Sequence, residues 1–425
     1  MNILLLGNGG REHALAWKIS QSPRCDKLYI APGNAGTALH GQNVKLHIND
    51  HHAVGEFAKQ HDIHMVVVGP EEALVHGIAD HFHREPDLNG ILFVGPRAAG
   101  ARLEGSKAFA KAFMQRHSIP TASYRSFSIN TLEQGKAYLQ SLPAPYVLKA
   151  DGLAAGKGVI ICESLDEAIS TLEEMLESQM FGEASATVVV EEFLKGTELS
   201  VFVVTDGTSY KILPSAKDYK RIGEEDTGPN TGGMGAFSPV PFANEAFMKK
   251  VENRIIKPTI GGLAKEGIPF CGFIFFGLIE VGGEPYVIEY NVRLGDPETQ
   301  AILPRIQSDL IELFEAAAKG TLDRQNLTIT NKNAATIVLV SGGYPGNYEK
   351  GYPITKIDQV KGSLVFYAGV STEQDALVTS GGRVLAVTTL ADNASEALEV
   401  SYKNAHLINF KGKYYRRDIG KDILQ

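Results

Sequence analysis

Cysteine is scarce. Cys25, Cys162 and Cys271 are odd in number, far apart and without a CxxC pair, which excludes a disulfide framework or a cysteine zinc site and fits a reducing compartment. Long hydrophobic runs are missing too. Nothing approaches the ~18 consecutive apolar residues of a membrane-spanning helix. Met1 to Leu6 runs straight into Gly7, without the basic region or long apolar core of a leader. Positive charge is in deficit, with 41 Lys and Arg against 49 Asp and Glu and a formal charge of -8. That balance excludes nucleic-acid binding by bulk electrostatics and leaves room only for a local basic pocket suited to small anions. We therefore expect a cytoplasmic protein without nucleic-acid or membrane partners. A monomer is expected too, although no feature of the sequence carries that. The histidines are scattered, and His13 reads as a packed or capping residue rather than a catalyst.

What is present fits a multidomain α/β and α+β protein. At 425 residues the chain exceeds one core, and ~150 residues per domain suggests about three domains. Short apolar runs at 3–6, 28–31, 65–68 and 91–94, with a helix at 12–20, predict a Rossmann-like parallel sheet. Ligands of such sheets lie beyond the carboxyl ends of the strands, so Ala31-Pro32-Gly33, Gly69-Pro70-Glu71 and Gly95-Pro96-Arg97 are expected to line one cleft. A helix at 107–116 opens a second module with strands at 146–150, 158–162, 187–193, 199–205, 272–280 and 286–291, a pattern of antiparallel hairpins. Polar residues 320–332 separate a helix at 310–319 from strands at 335–340, 364–368 and 383–389 and a helix at 395–405. The division expected is 1–103, 104–326 with a lid subdomain at about 121–192, and 327–425. Residues 228–235 read as loop.

Chemistry concentrates where the strand at 286–291 ends. Glu289, Asn291 and Arg293 occupy every second position and so share a face. A carboxylate and an amide oxygen suit Mg²⁺, which completes its shell with water and phosphate oxygens. Arg293 offers a planar fork for an anion, the plainer alternative being a pair with Asp296 or Glu298.

Between Lys149 and Val159 lies a run of small residues containing Gly152, Gly156, Lys157 and Gly158. Such residues let backbone N–H groups approach phosphate while the lysines neutralise it. It is not a Walker A loop: the glycine spacing is wrong, Gly158 replaces Ser or Thr, and a strand follows. A hairpin lid over a nucleotide fits better. Glu191, Phe193 and Leu194 at another strand end are placed to meet an adenine edge, and Glu198 a ribose; alone they would read as an acidic edge. A dinucleotide site at Gly7 to Gly10 is disfavoured, since Glu12 stands at the third glycine and no acidic residue ends the second strand.

Together, Lys107, Lys149, the Glu191 to Leu194 hinge with Glu198, and the Glu289/Asn291 pair resemble the ATP-grasp superfamily. Gly7 to Ala14, Ala31 to Asn34, Leu153 to Gly158, Asp226 to Gly235 and Arg293 to Thr299 are similar to hallmark segments of its phosphoribosylamine-glycine ligase family, and Arg416 to Gly420 to that family's C-terminal signature. The resemblance implies ATP-dependent joining of glycine to 5-phosphoribosylamine, with Mg²⁺ or Mn²⁺. It implies that Lys107, Lys149, Gly156, Lys157 and Gly158 hold the ATP phosphates, Glu191, Phe193 and Leu194 adenine, and Glu198 ribose. Glu289 and Asn291 would ligate the metal, with Arg293 near the reacting carboxylate or phosphate. Asp296 and Glu298, with Asp218 and Lys220, are candidates for glycine and the amino sugar. Asn8, Gly9, Gly10 and Arg11 would cradle the sugar phosphate at a helix N-terminus. Glu71 is a candidate for sugar hydroxyls or the amine, or else a helix N-terminal carboxylate. Lys217 and Tyr219 depart from the family's usual Gln and His, and Gly277 stands where some ATP-grasp enzymes carry a further metal carboxylate. A ligase or carboxylase with other small substrates, or a non-catalytic nucleotide sensor, are the rival readings.

Overall fold

Apolar runs bounded by Gly and Pro build the first layer. In the computed structural model, which describes residues 1–154 and 158–424, β1 (Asn2–Gly7), β2 (Lys27–Pro32), β3 (Gln42–Asn43), β4 (Ile63–Val68) and β5 (Leu92–Val94) form a parallel sheet in the order β3-β2-β1-β4-β5. Ile3 to Leu6 of β1 are fully buried, as a strand covered on both faces requires. The helix Gly10–Ile19 follows β1 directly. The Gly95 loop meets the chain again at Gly272, where an added Cβ would stand 3.0 Å from the Gly95 amide nitrogen.

A separate small core holds the lid. β6 (Tyr124–Phe127), β7 (Tyr146–Ala150), β8 (Val159–Cys162) and β9 (Val188–Glu192) form an antiparallel sheet in the order β6-β9-β7-β8. Two helices not anticipated from the sequence, Leu132–Gln140 and Leu165–Glu177, cover it. The second begins where Ser164 accepts the Glu167 N–H, and it buries Ala168, Leu172, Met175 and Leu176, the spacing of one helical face.

The central segment continues through β10 (Thr197–Thr205), β11 (Tyr210–Ile212), β12 (Lys217–Asp218), β13 (Gly235–Ser238), β14 (Gly272–Val281) and β15 (Glu284–Asn291). β11-β10-β14-β15 pair as an antiparallel sheet. β12 and β13 leave it and join β16 (Asn333–Val340), β17 (Leu364–Tyr367) and, past a ribbon of β18 (Val370–Glu373) and β19 (Ala376–Thr379), β20 (Arg383–Ala391), in the order β12-β13-β16-β20-β17. Read as loop to Gly235, that stretch thus ends in the first residue of a sheet strand.

His13 links the first helix to this last sheet. It is buried, its Nδ1 accepts the Tyr367 N–H at 2.7 Å, and its Nε2 lies 3.2 Å from that of His40. Burial, then the neighbouring His40, pushes its pKa from 6.5 down to about 3. The unfolded chain therefore binds a proton below pH 6.5 that the fold refuses, and stability falls as pH falls from about 6.5 towards 3. We expect His13→Asn to remove a slope of about 1.4 kcal/mol per pH unit from that window, read as the difference between wild-type and variant denaturation curves.

Candidate active site

β14 and β15 are paired so that Gly277 faces Glu289, with a register shift next to Gly277 that leaves Ile288 as the extra residue. Beyond it, Tyr290 and Val292 turn into the core while Glu289 and Asn291 stay half-buried on the other face. A Cβ at Gly277 would come within 3.0 Å of Glu289 Cγ, so the glycine keeps room for that carboxylate. Neither polar side chain has a hydrogen-bond partner among the described residues. Hard, unengaged oxygens of this kind fit a divalent cation. Among the described residues no cluster of three His, Cys, Asp or Glu could hold a metal. The pair therefore needs water and phosphate oxygens to fill a coordination shell.

Arg293 lies just past the strand and is paired with neither Asp296 nor Glu298. Its Nε is 3.1 Å from Glu71 Oε2 and its Nη2 is 2.8 Å from Glu104 Oε1. Glu71, a candidate for the sugar hydroxyls or the amine or else a helix N-terminal carboxylate, opens the helix Glu71–Val75 and is engaged by Arg293. Burial pushes the Glu104 carboxyl up to about 7, against the pull of Arg293.

The lysines converge from two sides. Lys107, first residue of the helix Lys107–Arg116 capped by Ser106, donates to Gly152 O at 3.1 Å. Burial lowers its pKa against the opposing pull of Glu289. On β7, Lys149 lies 3.0 Å from Glu191 and donates to Ile288 O at 3.3 Å. The Glu191 carboxylate is buried and also pairs with Lys111 at 2.8 Å, so its side chain points between two lysines rather than along an open hinge. Phe193 is exposed and Leu194 half-buried at that hinge. Lys111, not singled out from sequence, donates to Thr121 Oγ1 at 2.8 Å, and burial pulls its pKa down to about 8. Its placement one helical turn after Lys107 was the available signal. Gly158 O accepts the Ala150 N–H at 2.7 Å; Gly156 and Lys157 lie outside the described residues.

Lys220 Nζ lies 2.7 Å from Glu198 and 3.9 Å from Asp218. Desolvation opposes its charge, but Asp218, Glu198 and Glu289 outweigh it and raise the pKa well above the ordinary lysine value. Glu298 is buried, accepts from Ser200 Oγ at 3.1 Å, and is pushed up to about 7 by burial and then by Asp218. Burial likewise raises Asp218. The departing residues look away from this cluster: Lys217 pairs with Asp422, and the Tyr219 hydroxyl donates to Asp422 Oδ1 at 2.7 Å.

At the N-terminal loop, Gly9 N–H donates to Glu12 Oε2 at 2.6 Å and Arg11 N–H to Asp296 Oδ2 at 3.3 Å. Carboxylates thus meet two of the donors that the sequence reading offered to phosphate. Arg11 is buried, with Nε on Glu12 and Nη1 on Leu294 O. Asn8, Gly9 and Asp296 line a cavity of about 720 Å³, which neither Gly10 nor Arg11 lines. Its opposite wall comes from Tyr344, Ser371, Thr372, Ser380 and Arg383. The sequence reading missed these residues, which carry no motif of their own. Burial resists ionisation of Asp296, but Arg383 and Arg11 hold its pKa below the usual carboxylate value.

Three family models match along the chain: the phosphoribosylglycinamide synthetase N domain at residues 1–104, its ATP-grasp (A) domain at 105–299 and its C domain at 334–422. A phosphoribosylamine-glycine ligase of Pasteurella multocida is 48% identical, over 99% of this chain and 97% of that relative. The crystal structure of the phosphoribosylamine-glycine ligase from Thermotoga maritima is 35% identical and superposes with a TM-score of 0.85, covering 98% of this chain and all (100%) of that one. The biotin carboxylase domain of a Hydrogenobacter thermophilus 2-oxoglutarate carboxylase, solved with MgADP, shares the fold alone at 15% identity, TM-score 0.73, and coverage of 97% and 91% of the two chains. With every module matched and the site assembled between them, the chain belongs to the phosphoribosylglycinamide synthetase family of ATP-grasp enzymes.

Proposed function

We propose that the chain is a carbon-nitrogen ligase of purine biosynthesis, joining glycine to 5-phosphoribosylamine with ATP to give glycinamide ribonucleotide, ADP and phosphate. The observation that carries this reading is the convergence of Glu289, Asn291, Lys107 and Lys149 at one strand end, five residues before an Asp296 that opens onto a separate cavity. A free carboxylate is a poor acyl donor, so the γ-phosphate passes to glycine, and the sugar amine then displaces phosphate from glycyl phosphate. No side-chain nucleophile is required; positioning and charge neutralisation supply the rate.

Lys107, Lys149 and Lys157 neutralise the triphosphate, with Gly156 and Gly158 leaving room for it. Phe193 and Leu194 flank adenine, Glu191 orients Lys149 from behind, and Glu198 takes the ribose. Glu289 and Asn291 are suited to hold Mg²⁺ or Mn²⁺. When bound, the cation draws charge from the phosphate oxygens being transferred. Arg293 faces the glycine carboxylate, and Asp218, Lys220 and Glu298 line its other side. Asn8, Gly9 and Asp296 receive the amino sugar, with Asp296 nearest the amine. We assign substrate binding to 1–103, nucleotide chemistry to 104–326 with its lid at about 121–192, and cavity closure to 327–425, in a cytoplasmic monomer. Among the described residues, no helix is long and apolar enough to cross a membrane.

A coupled ADP assay with freshly generated phosphoribosylamine tests the reading. Omitting glycine or the divalent ion should stop ADP release and omitting the sugar should stop sustained turnover, and release that is indifferent to glycine would count against it.

A further inference from the structure

Glu104 is the penultimate residue of the helix Ala98–Gly105, and its carboxylate is buried. Oε2 accepts the Val292 N–H at 2.8 Å, and Oε1 lies 2.8 Å from Arg293 Nη2. From the other side, Glu71 meets Arg293 Nε at 3.1 Å. Two acids therefore engage the Nε and Nη2 side of the guanidinium, while Nη1 makes only a 3.3 Å contact to Leu294 O. The remaining donors lie along the Nη1–Nη2 edge, the edge that matches a carboxylate two atoms at a time. Rotating the fork away would strand Glu104 as a buried acid without its partner, so the orientation is locked. Glu104 is also a mechanical junction. Val292 adjoins Asn291, and just beyond Glu104 the Ser106 hydroxyl caps the helix that starts with Lys107.

We propose that Glu104 is a positioning residue: it fixes Arg293 with its free edge towards the acyl substrate's carboxylate. The inference rests on the role given to Arg293 under the proposed function. Nothing in the local sequence marks Glu104, since its partners come from the far end of the nucleotide module.

Steady-state kinetics with separate variation of glycine and ATP test it. Glu104→Ala should raise the glycine KM roughly tenfold or more while the ATP KM stays within about twofold, the size expected for one charge-assisted contact. Glu104→Gln still accepts the Val292 N–H and keeps the fold, and should give an intermediate glycine KM. Arg293→Gln should raise the glycine KM by itself, and adding Glu104→Ala should then change little, because the two act as a unit. A folded Glu104→Gln with wild-type glycine KM, a parallel rise in both KM values, or additive effects in the double variant would each overturn the proposal. If Arg293→Gln raises the glycine KM but Glu104→Ala does not, only the Glu104 assignment falls. If Arg293→Gln leaves the glycine KM unchanged, the reading of Arg293 falls with it.

Discussion

Replacing Glu289 by Ala is expected to cut turnover by roughly a thousandfold or more, about 4 kcal/mol of transition-state stabilisation. The side chain is half-buried, makes no hydrogen bond among the described residues, and lies over Gly277 on the neighbouring strand, so its removal breaks no hydrogen bond and takes from Lys107 and Lys220 one of several nearby carboxylates. What disappears is the only carboxylate of the Glu289/Asn291 pair. Without that charge, Lys107 and Lys149 face the phosphates with no bound cation to share the neutralisation. Unchanged melting with turnover lost is the expected combination, and the same variant should bind Mg²⁺-nucleotide more weakly in a titration. Wild-type turnover in Glu289→Ala would remove the metal assignment.

Loss of Glu191 should act in the opposite way, on the fold first. Glu191 sits between Lys111 and Lys149, whose side chains are only 2% and 5% exposed. Cutting it back in Glu191→Ala leaves two buried ammonium groups without their shared counter-ion. A broken buried pair of this kind costs about 3–5 kcal/mol, felt by the lid sheet through β7 and β9. Denaturant unfolding of the variant should show an early transition for that module, together with weakened ATP binding because Lys149 loses its anchor. Glu191→Leu combined with Lys111→Met replaces one charge pair by apolar groups, and should recover part of the stability without recovering ATP affinity. If Glu191→Ala unfolded like the wild type, the lysines would have to be solvated and the buried triad would not be a structural element.

Legibility from sequence followed the range of the interactions. The strand at Glu284–Asn291 was readable because polar and apolar residues alternate locally, and the helix Lys107–Arg116 because its pattern closes on itself. The bulge at Ile288 was not, since it depends on the pairing with β14. Likewise the partners of Arg293 were sought nearby, at Asp296 and Glu298, whereas Glu71 and Glu104 reach it from another module. Lys111 and Glu104 lie in helices of ordinary composition, and only tertiary packing gives them their charge partners. The half of the site proposed for the nucleotide carried glycines, lysines and a carboxylate-amide pair at telling spacings. The cavity wall built by Ser371, Thr372 and Arg383 had no comparable signature.

The path of β13 has a consequence for how the molecule can be divided. Because Gly235–Ser238 sits between β12 and β16, the carboxyl-terminal sheet borrows two of its strands from a segment nearly a hundred residues upstream. A chain ended near residue 326 would expose the edge of β13, and the excised remainder would expose that of β16, each a row of unpaired amides and carbonyls inviting aggregation. The two regions are thus woven rather than strung together, and neither should be expected to behave as a free-standing unit.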